Sequence, residues 1–313
     1  MLISGFGMCR NADTLGYPVA ESIRSALPLV DEFHIAVGKG WPGDRTREMI
    51  AAINSSKVVI TDTEWDTNRY KSGTVHAQQT DLAKALCRGQ WLLYLQADEV
   101  LHEDDLALIK NACELHLNDK RVEALVFQYQ HFWGDYNHLV DTHGWYNREI
   151  RVIRNLPEIH SWMSAQSFRW FYGFEDGDYR NKKKTRKLNA VEIDARIFHY
   201  GWVRHPRIMA LKMKTMDSIH GHQRHTYPAS FDYGDLSRLT VFDGSHPAVM
   251  KKRIAEMDWG NWLVQSSSKP QRPKFKHEQL TYRVFGWVKK HVLHNENIGM
   301  YRNFRLIDAK GSH

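Results

Sequence analysis

The stretch of this sequence best equipped for chemistry is Gln96-Ala97-Asp98-Glu99, which closes the apolar run Trp91–Leu95. An apolar run of that length, preceded by Gly89, suits a buried strand. Acidic and polar groups beyond the carboxyl end of such a strand sit where α/β sheets bind ligands. A carboxylate there can hold a hard divalent cation, which takes oxygen ligands and keeps waters and substrate phosphates as the rest. The plainer reading is that Asp98 and Glu99 cap a helix beginning near Glu103, because acids favour helix N-termini. Taken alone, these residues leave the choice open.

Other candidates are scattered along the chain. Glu175 and Asp176 form an acidic pair in the turn Gly173–Gly177, and His160 is the titratable group within 159–168. Each could take a proton from a hydroxyl within hydrogen-bond reach. The alternative for the pair is an exposed turn facing the basic run Lys182–Lys187. His199, inside Ile197–Arg204, reads on its own as an imidazole packed in an aromatic core ahead of a metal ligand. Arg10, Lys71 and Arg204 are cations suited to phosphate or, more plainly, surface charges.

The elements that must position these residues alternate. Strands are expected over 1–8, 33–37, 58–61, 91–95 and 124–129, and helices over 14–29, 45–54, 75–87 and 103–117. That order implies a mostly parallel sheet covered by helices on both faces. The loops after strands one, two and four, at 9–13, 38–44 and 96–100, then converge on the ligand edge. Beyond Phe127 aromatics crowd 132–172, further strands fit 148–154 and 191–200, and a helix fits 206–219. The aromatics offer apolar faces to sugars, although many must form core. Composition shifts near 128 and 235, and no internal repeat is visible.

The bulk numbers are those of a globular protein: 313 residues, 42% hydrophobic and 25% charged. No apolar run approaches the roughly 18–20 residues that span a bilayer. The first residues do not read as a signal peptide. Three cysteines, Cys9, Cys87 and Cys113, lack metal-ligand spacing and fit free thiols in a reducing compartment. The expected location is therefore cytoplasmic. Net charge is +7, and residues 269–305 hold nine Lys/Arg against Glu278 and Glu296. Residues 281–293 are amphipathic and basic, which suits peripheral contact with the inner face of an anionic membrane. Residues 310–313 read as an expression scar.

Three passages carry a resemblance: Glu21-Ser-Ile-Arg-Ser-Ala-Leu-Pro28, Val37-Gly-Lys-Gly-Trp-Pro-Gly-Asp-Arg-Thr-Arg-Glu48, and Gly89-Gln-Trp-Leu-Leu-Tyr-Leu-Gln-Ala-Asp-Glu99. In their order and spacing they resemble E-S-I-x-S-x-L, V-D-D-G-S-x-D-G-T and G-x-Y-I-x-x-L-D-A-D-D/E of bacterial family 2 glycosyltransferases. The resemblance spans residues 1–105. It implies a GT-A fold, a Rossmann-like, mostly parallel mixed sheet flanked by helices, here with a C-terminal helical extension. It implies a nucleotide-sugar-binding half over 1–127, an acceptor-binding half over 128–235 and a basic, mainly helical extension over 236–309. The implied activity moves a sugar from a nucleotide-sugar to a hydroxyl of a glycan or glycolipid, with inversion and one Mg2+ or Mn2+.

Carried over residue by residue, Asp98 matches the last acid of the D-x-D motif, which contacts metal and diphosphate. Gln96 stands where the first acid is usual and can hydrogen-bond without adding charge. Gly38 and Lys39 fall where the family reads the base. Arg10, Asn11, Lys71 and Ala97 complete the implied donor site, with Asp98 and His199 as metal ligands. Asp176, then Glu175, then His160 are the candidate bases. Two other readings compete. A nucleotidyltransferase would need a Gly-rich loop after strand one, and Gly7–Asp13 is not Gly-rich. A basic membrane or nucleic-acid module accounts for the charge, but no nucleic-acid signature accompanies it.

Overall fold

The computed structural model describes residues 1–142, 145–222, 226–264, 272–282, 284 and 302–309. Its strands and helices, in chain order, are β1 (Ile3–Cys9), α1 (Val19–Ala26), β2 (Glu32–Gly38), α2 (Thr46–Ala51), β3 (Val58–Thr63), α3 (Thr74–Lys84), β4 (Trp91–Tyr94), β5 (Glu99–Leu101), α4 (Leu106–Leu115) and β6 (Ala124–Trp133). There follow β7 (His138–Leu139), β8 (Arg148–Arg154), β9 (Ile159–Trp162), β10 (Ser167–Phe171), β11 (Thr185–Trp202), α5 (Pro206–His220), β12 (Thr240–Val241), α6 (Lys251–Ala255) and β13 (Phe304–Leu306).

The main sheet runs β3-β2-β1-β4-β8-β6-β11-β10-β9. β1, β2, β3 and β4 are mutually parallel along this path. β8 is antiparallel to both β4 and β6, and β6 is parallel to β11. The sheet is thus mixed, with its parallel part concentrated in the first half. Chain order reverses at β1, which lies between β2 and β4, so the loops after β1 and β4 diverge there. That is where open α/β sheets bind ligands.

Strand alternation divides the core. Trp91 and Leu93 join Ile23, Phe33, Ile109 and Val152 on one face, while Leu92 and Tyr94 join Phe6, Ile150 and Phe168 on the other. Both faces are covered, which is why β4 reads as an unbroken apolar run.

Several expectations change. The helix expected over 14–29 begins only after Pro18, because Thr14 is held by the Asp44 carboxylate in a turn. β5 and the β9–β10 hairpin were not anticipated. β11 begins at Thr185, so part of the basic run is structural: Arg186 pairs with Glu123 at 2.6 Å and lies over the Trp170 ring. Much of the aromatic stretch is core, with Phe132, Trp133, Tyr136 and Trp162 buried. The 127/128 boundary falls inside β6. The described part of 236–309 is mostly loops and single turns, stitched to the sheet through β12 on β7 and β13 on β11. Residues 281–293 lie almost wholly outside the described residues. Among those described, no helix is long and apolar enough to cross a membrane. Cys9, Cys87 and Cys113 are buried and free.

Candidate active site

The short strand β5 explains how Asp98 acquires its neighbours. β5 pairs antiparallel with β11, setting Glu99 opposite His199, and the Tyr200 N–H donates to the Asp98 carbonyl at 2.8 Å. The Asp98 and His199 side chains consequently meet, with Oδ2 to Nε2 at 3.9 Å. Gly201 keeps the space beside them open. A Cβ there would lie 2.5 Å from His199 Nε2 and 3.0 Å from Asp98 Oδ2.

Hydrogen bonding fixes the histidine tautomers. His131 Nε2 faces the Tyr146 carbonyl, which can only accept, so Nε2 carries the proton. Burial, and then His199, push the His131 imidazole down to about 3, keeping it neutral. Its Nδ1 therefore accepts from His199 Nδ1–H at 2.9 Å. His199 Nε2 is left as a lone pair aimed at the Asp98 carboxylate. Burial pushes this imidazole down to about 4, against the pull of Asp98.

The cation beside that carboxylate is Lys212. α5 follows β11 closely and folds back, so Lys212 Nζ donates to the Gly201 carbonyl at 2.6 Å and lies 3.4 Å from Asp98 Oδ2. Burial, then Arg204, pushes the ammonium down to about 7, while Asp98 pulls the other way. Burial also opposes ionisation of Asp98, but Lys212, His199 and Arg204 outweigh it and hold the carboxyl below its usual range. Arg204 is itself buried, donates to the Leu15 carbonyl at 3.0 Å and lies over the Tyr17 ring. Its Nε is buried without a partner among the described residues. A buried guanidinium and a largely buried ammonium, its side chain 13% exposed, thus flank one carboxylate. Arg204 was expected here. Lys212 was not, and its only sequence signal is a cation three residues after the buried Met209 on α5.

The other three residues of the strand-end motif are engaged elsewhere. Gln96 Nε2 donates to the Ala165 carbonyl in the β9–β10 turn at 2.9 Å. Glu99 does not cap the following helical turn, whose first N–H groups are met by His102. It forms a fully buried bidentate pair with Arg151 at 2.7 and 2.8 Å and accepts from Tyr129 OH at 2.7 Å. Ala97 packs against the core.

A divalent ion would have Asp98 Oδ2 and His199 Nε2 as side-chain ligands. The donor set does not suit one. The single carboxylate already pairs with Lys212, the Gln96 amide is engaged elsewhere, and among the described residues no group of three His, Cys, Asp or Glu converges.

The loops after β1 and β2 are tied together at the carboxyl ends of these strands. Arg10 Nε donates to the Lys39 carbonyl at 2.8 Å, and Asn11 Oδ1 accepts the Trp41 N–H at 2.7 Å. Gly38, Lys39, Asp44, Asp62 and Glu64 line a cavity of about 420 Å³ at the carboxyl ends of β2 and β3. Trp65 covers Gly38 so closely that a Cβ would meet its indole at 2.3 Å. Arg10 in turn lies over the Trp65 ring. The structure therefore brings together Arg10, Asn11, Gly38 and Lys39. Lys71 is exposed in the segment before α3.

The three expected bases lie elsewhere. Asp176 accepts hydrogen bonds from Tyr70 OH and Arg69. Glu175 is paired with Lys184 at 2.9 Å. His160 Nδ1 meets Asp81 at 2.8 Å, and its ring stacks on Phe174. Asp176 and His160 line a separate cavity of about 580 Å³ with Tyr70, Asp81, Lys84 and Tyr179. Asp176 and Glu175 thus each have a charged or hydrogen-bonding partner of their own.

No family model and no curated protein matches the chain. Among solved structures it is similar to S. aureus TarS, at 12% identity and TM-score 0.38, covering 70% of this chain and 39% of that one. It is also similar to S. aureus TarS 1-349 in complex with UDP, at 13% identity and TM-score 0.39, covering 70% and 65%. Glucosyl-3-phosphoglycerate synthase from Mycobacterium tuberculosis in complex with Mg2+ and UDP is similar at 15% identity and TM-score 0.28, covering 41% and 43%. The chain spans 39% to 65% of the length of the TarS structures. Fold and site together define an α/β protein with a cation-rich notch at the carboxyl edge of a mixed sheet.

Proposed function

We propose that this chain is an inverting glycosyltransferase that moves a sugar from a nucleotide-sugar donor to a hydroxyl of a glycan or glycolipid. The observation that carries this reading is the buried excess of cation over anion at Asp98, Lys212 and Arg204, at the carboxyl end of β4. Beside it, across β1, lies the cavity lined by Gly38 and Lys39, large enough for a nucleoside. The order of the three sequence passages at residues 1–105 supports the same assignment.

In this reading the nucleoside enters the β2–β3 cavity and its diphosphate reaches the notch. Cleavage of the anomeric C–O bond adds charge to the diphosphate. Donors fixed in a water-poor site stabilise that charge without reorganising. The Arg10–Trp65 and Asn11–Trp41 contacts hold the two loops in register for the donor. Peripheral membrane contact through 281–293 accompanies a glycolipid acceptor. Co-sedimentation with anionic vesicles before and after deletion of 270–309 tests that contact.

The donor reading is tested by a thermal-shift screen of UDP-, GDP-, CMP- and dTDP-sugars. A ligand that binds the native fold raises its apparent stability by mass action. At least one is expected to do so. A flat response to all four contradicts the assignment.

A further inference from the structure

Lys212 spends its protons unevenly. The Gly201 carbonyl takes one at 2.6 Å, and Asp98 Oδ2 lies 3.4 Å away. An ammonium has three N–H groups, so one remains for a ligand oxygen. Arg204 Nε, buried and without a partner among the described residues, is a second unspent donor. Both cations lie over the Tyr17 ring, with Lys212 Nζ 4.9 Å and Arg204 Cζ 4.5 Å from its centroid. The ring flanks both cations, and Gly201 leaves out the Cβ that would crowd His199 and Asp98 beside Lys212. Leaving a buried donor unmet is costly, and a ligand oxygen would remove that cost.

We propose that Lys212 stands in place of a divalent ion, its ammonium meeting the diphosphate of the donor with Arg204 Nε beside it; this rests on the donor reading above. Asp98 is then the positioning carboxylate, aiming Lys212 at the diphosphate. In the transfer step the acceptor oxygen forms the new C–O bond at the anomeric carbon and its proton passes to solvent. The old C–O bond breaks with its electron pair on the diphosphate oxygen, where Lys212 and Arg204 meet the added charge. Lys212 transfers no proton. A metal would have to displace the ammonium from the same carboxylate, at a site with too few other ligands.

The test titrates UDP, GDP, CDP and dTDP calorimetrically into the full chain, once in EDTA and once with MnCl2. The diphosphate that binds is expected to bind equally in both, within about twofold. Lys212→Met should weaken it on the order of tenfold to a hundredfold, the loss of one charged hydrogen bond. The matching nucleoside should bind Lys212→Met as it binds the parent, and Lys212→Arg should recover most of the diphosphate affinity. Binding abolished by EDTA and restored by Mn2+, or unchanged affinity in Lys212→Met, overturns the inference while leaving the donor reading intact. Absence of binding to all four diphosphates in both buffers overturns both. Should Lys212→Met fail to fold, Mn2+ titration of the parent chain followed by electron paramagnetic resonance decides the matter. Saturable Mn2+ binding without nucleotide overturns the inference, and its absence supports it.

Discussion

The Asp98 carboxylate and the His199 imidazole face each other across 3.9 Å because β5 pairs antiparallel with β11. The His131 hydrogen bond turns the His199 lone pair toward that carboxylate. Two acceptors facing one another need a cation, and the fold supplies one from α5 rather than from a third ligand. The β5–β11 register and the return of α5 therefore bring the carboxylate and its cation together.

The strand-end motif contains two acids with different work, and Glu99 is the structural one. Its partner Arg151 is 1% exposed in the side chain and Glu99 is 0%. Glu99→Ala leaves that guanidinium buried and uncompensated, which costs about 3–5 kcal/mol. Urea denaturation should show that loss, and a change under about 1 kcal/mol would argue against a buried pair of this kind.

Asp176 offers a contrast. Its carboxylate is occupied by Tyr70 and Arg69, and it lines the cavity away from Asp98. Asp176→Asn and Glu175→Gln are expected to keep sugar transfer within a few-fold of the parent in initial-rate assays. A loss of several orders of magnitude in either would restore it as the base.

Buried neutral histidines make the fold sensitive to acid. Burial pushes His76 down to about 4, with His220 adding to the effect, and pushes His277 down to about 4 against Glu278. In the unfolded chain a histidine titrates near 6.5. Between those values the unfolded state binds more protons, so stability is fully present above about pH 6.5 and is lost as pH falls toward 4. Each such histidine contributes a slope of about 1.4 kcal/mol per pH unit in that window. The urea midpoint should fall clearly from pH 7 to pH 5. An equal midpoint at both would contradict the buried neutral assignment.

The first half of the fold was legible because its strands are apolar runs separated by Gly, Pro and amphipathic stretches. β5 was hidden by its three-residue length, and β9 by the His160 and Ser161 within it. Asp98 was legible as the polar end of β4. His199 could be suspected from its setting, but only the β5–β11 register joins it to Asp98. Lys212 was invisible for a physical reason. A lysine on a helix reads as surface, and what buries this one is the end of β11 and Tyr17, both distant in sequence. The choice between a cap and a ligand stayed open for Glu99 because its partner Arg151 lies 52 residues away.

The central claim is that the donor diphosphate is held at the Asp98–Lys212 notch. Its most direct test is calorimetric titration of the stabilising nucleotide-sugar into the parent chain and into Asp98→Asn, with circular dichroism to verify that the variant is folded. The account predicts tight binding by the parent and a loss on the order of tenfold or more in the variant, since Lys212 is no longer aimed by a charge. Equal affinity in the two folded proteins would place the donor elsewhere and contradict it.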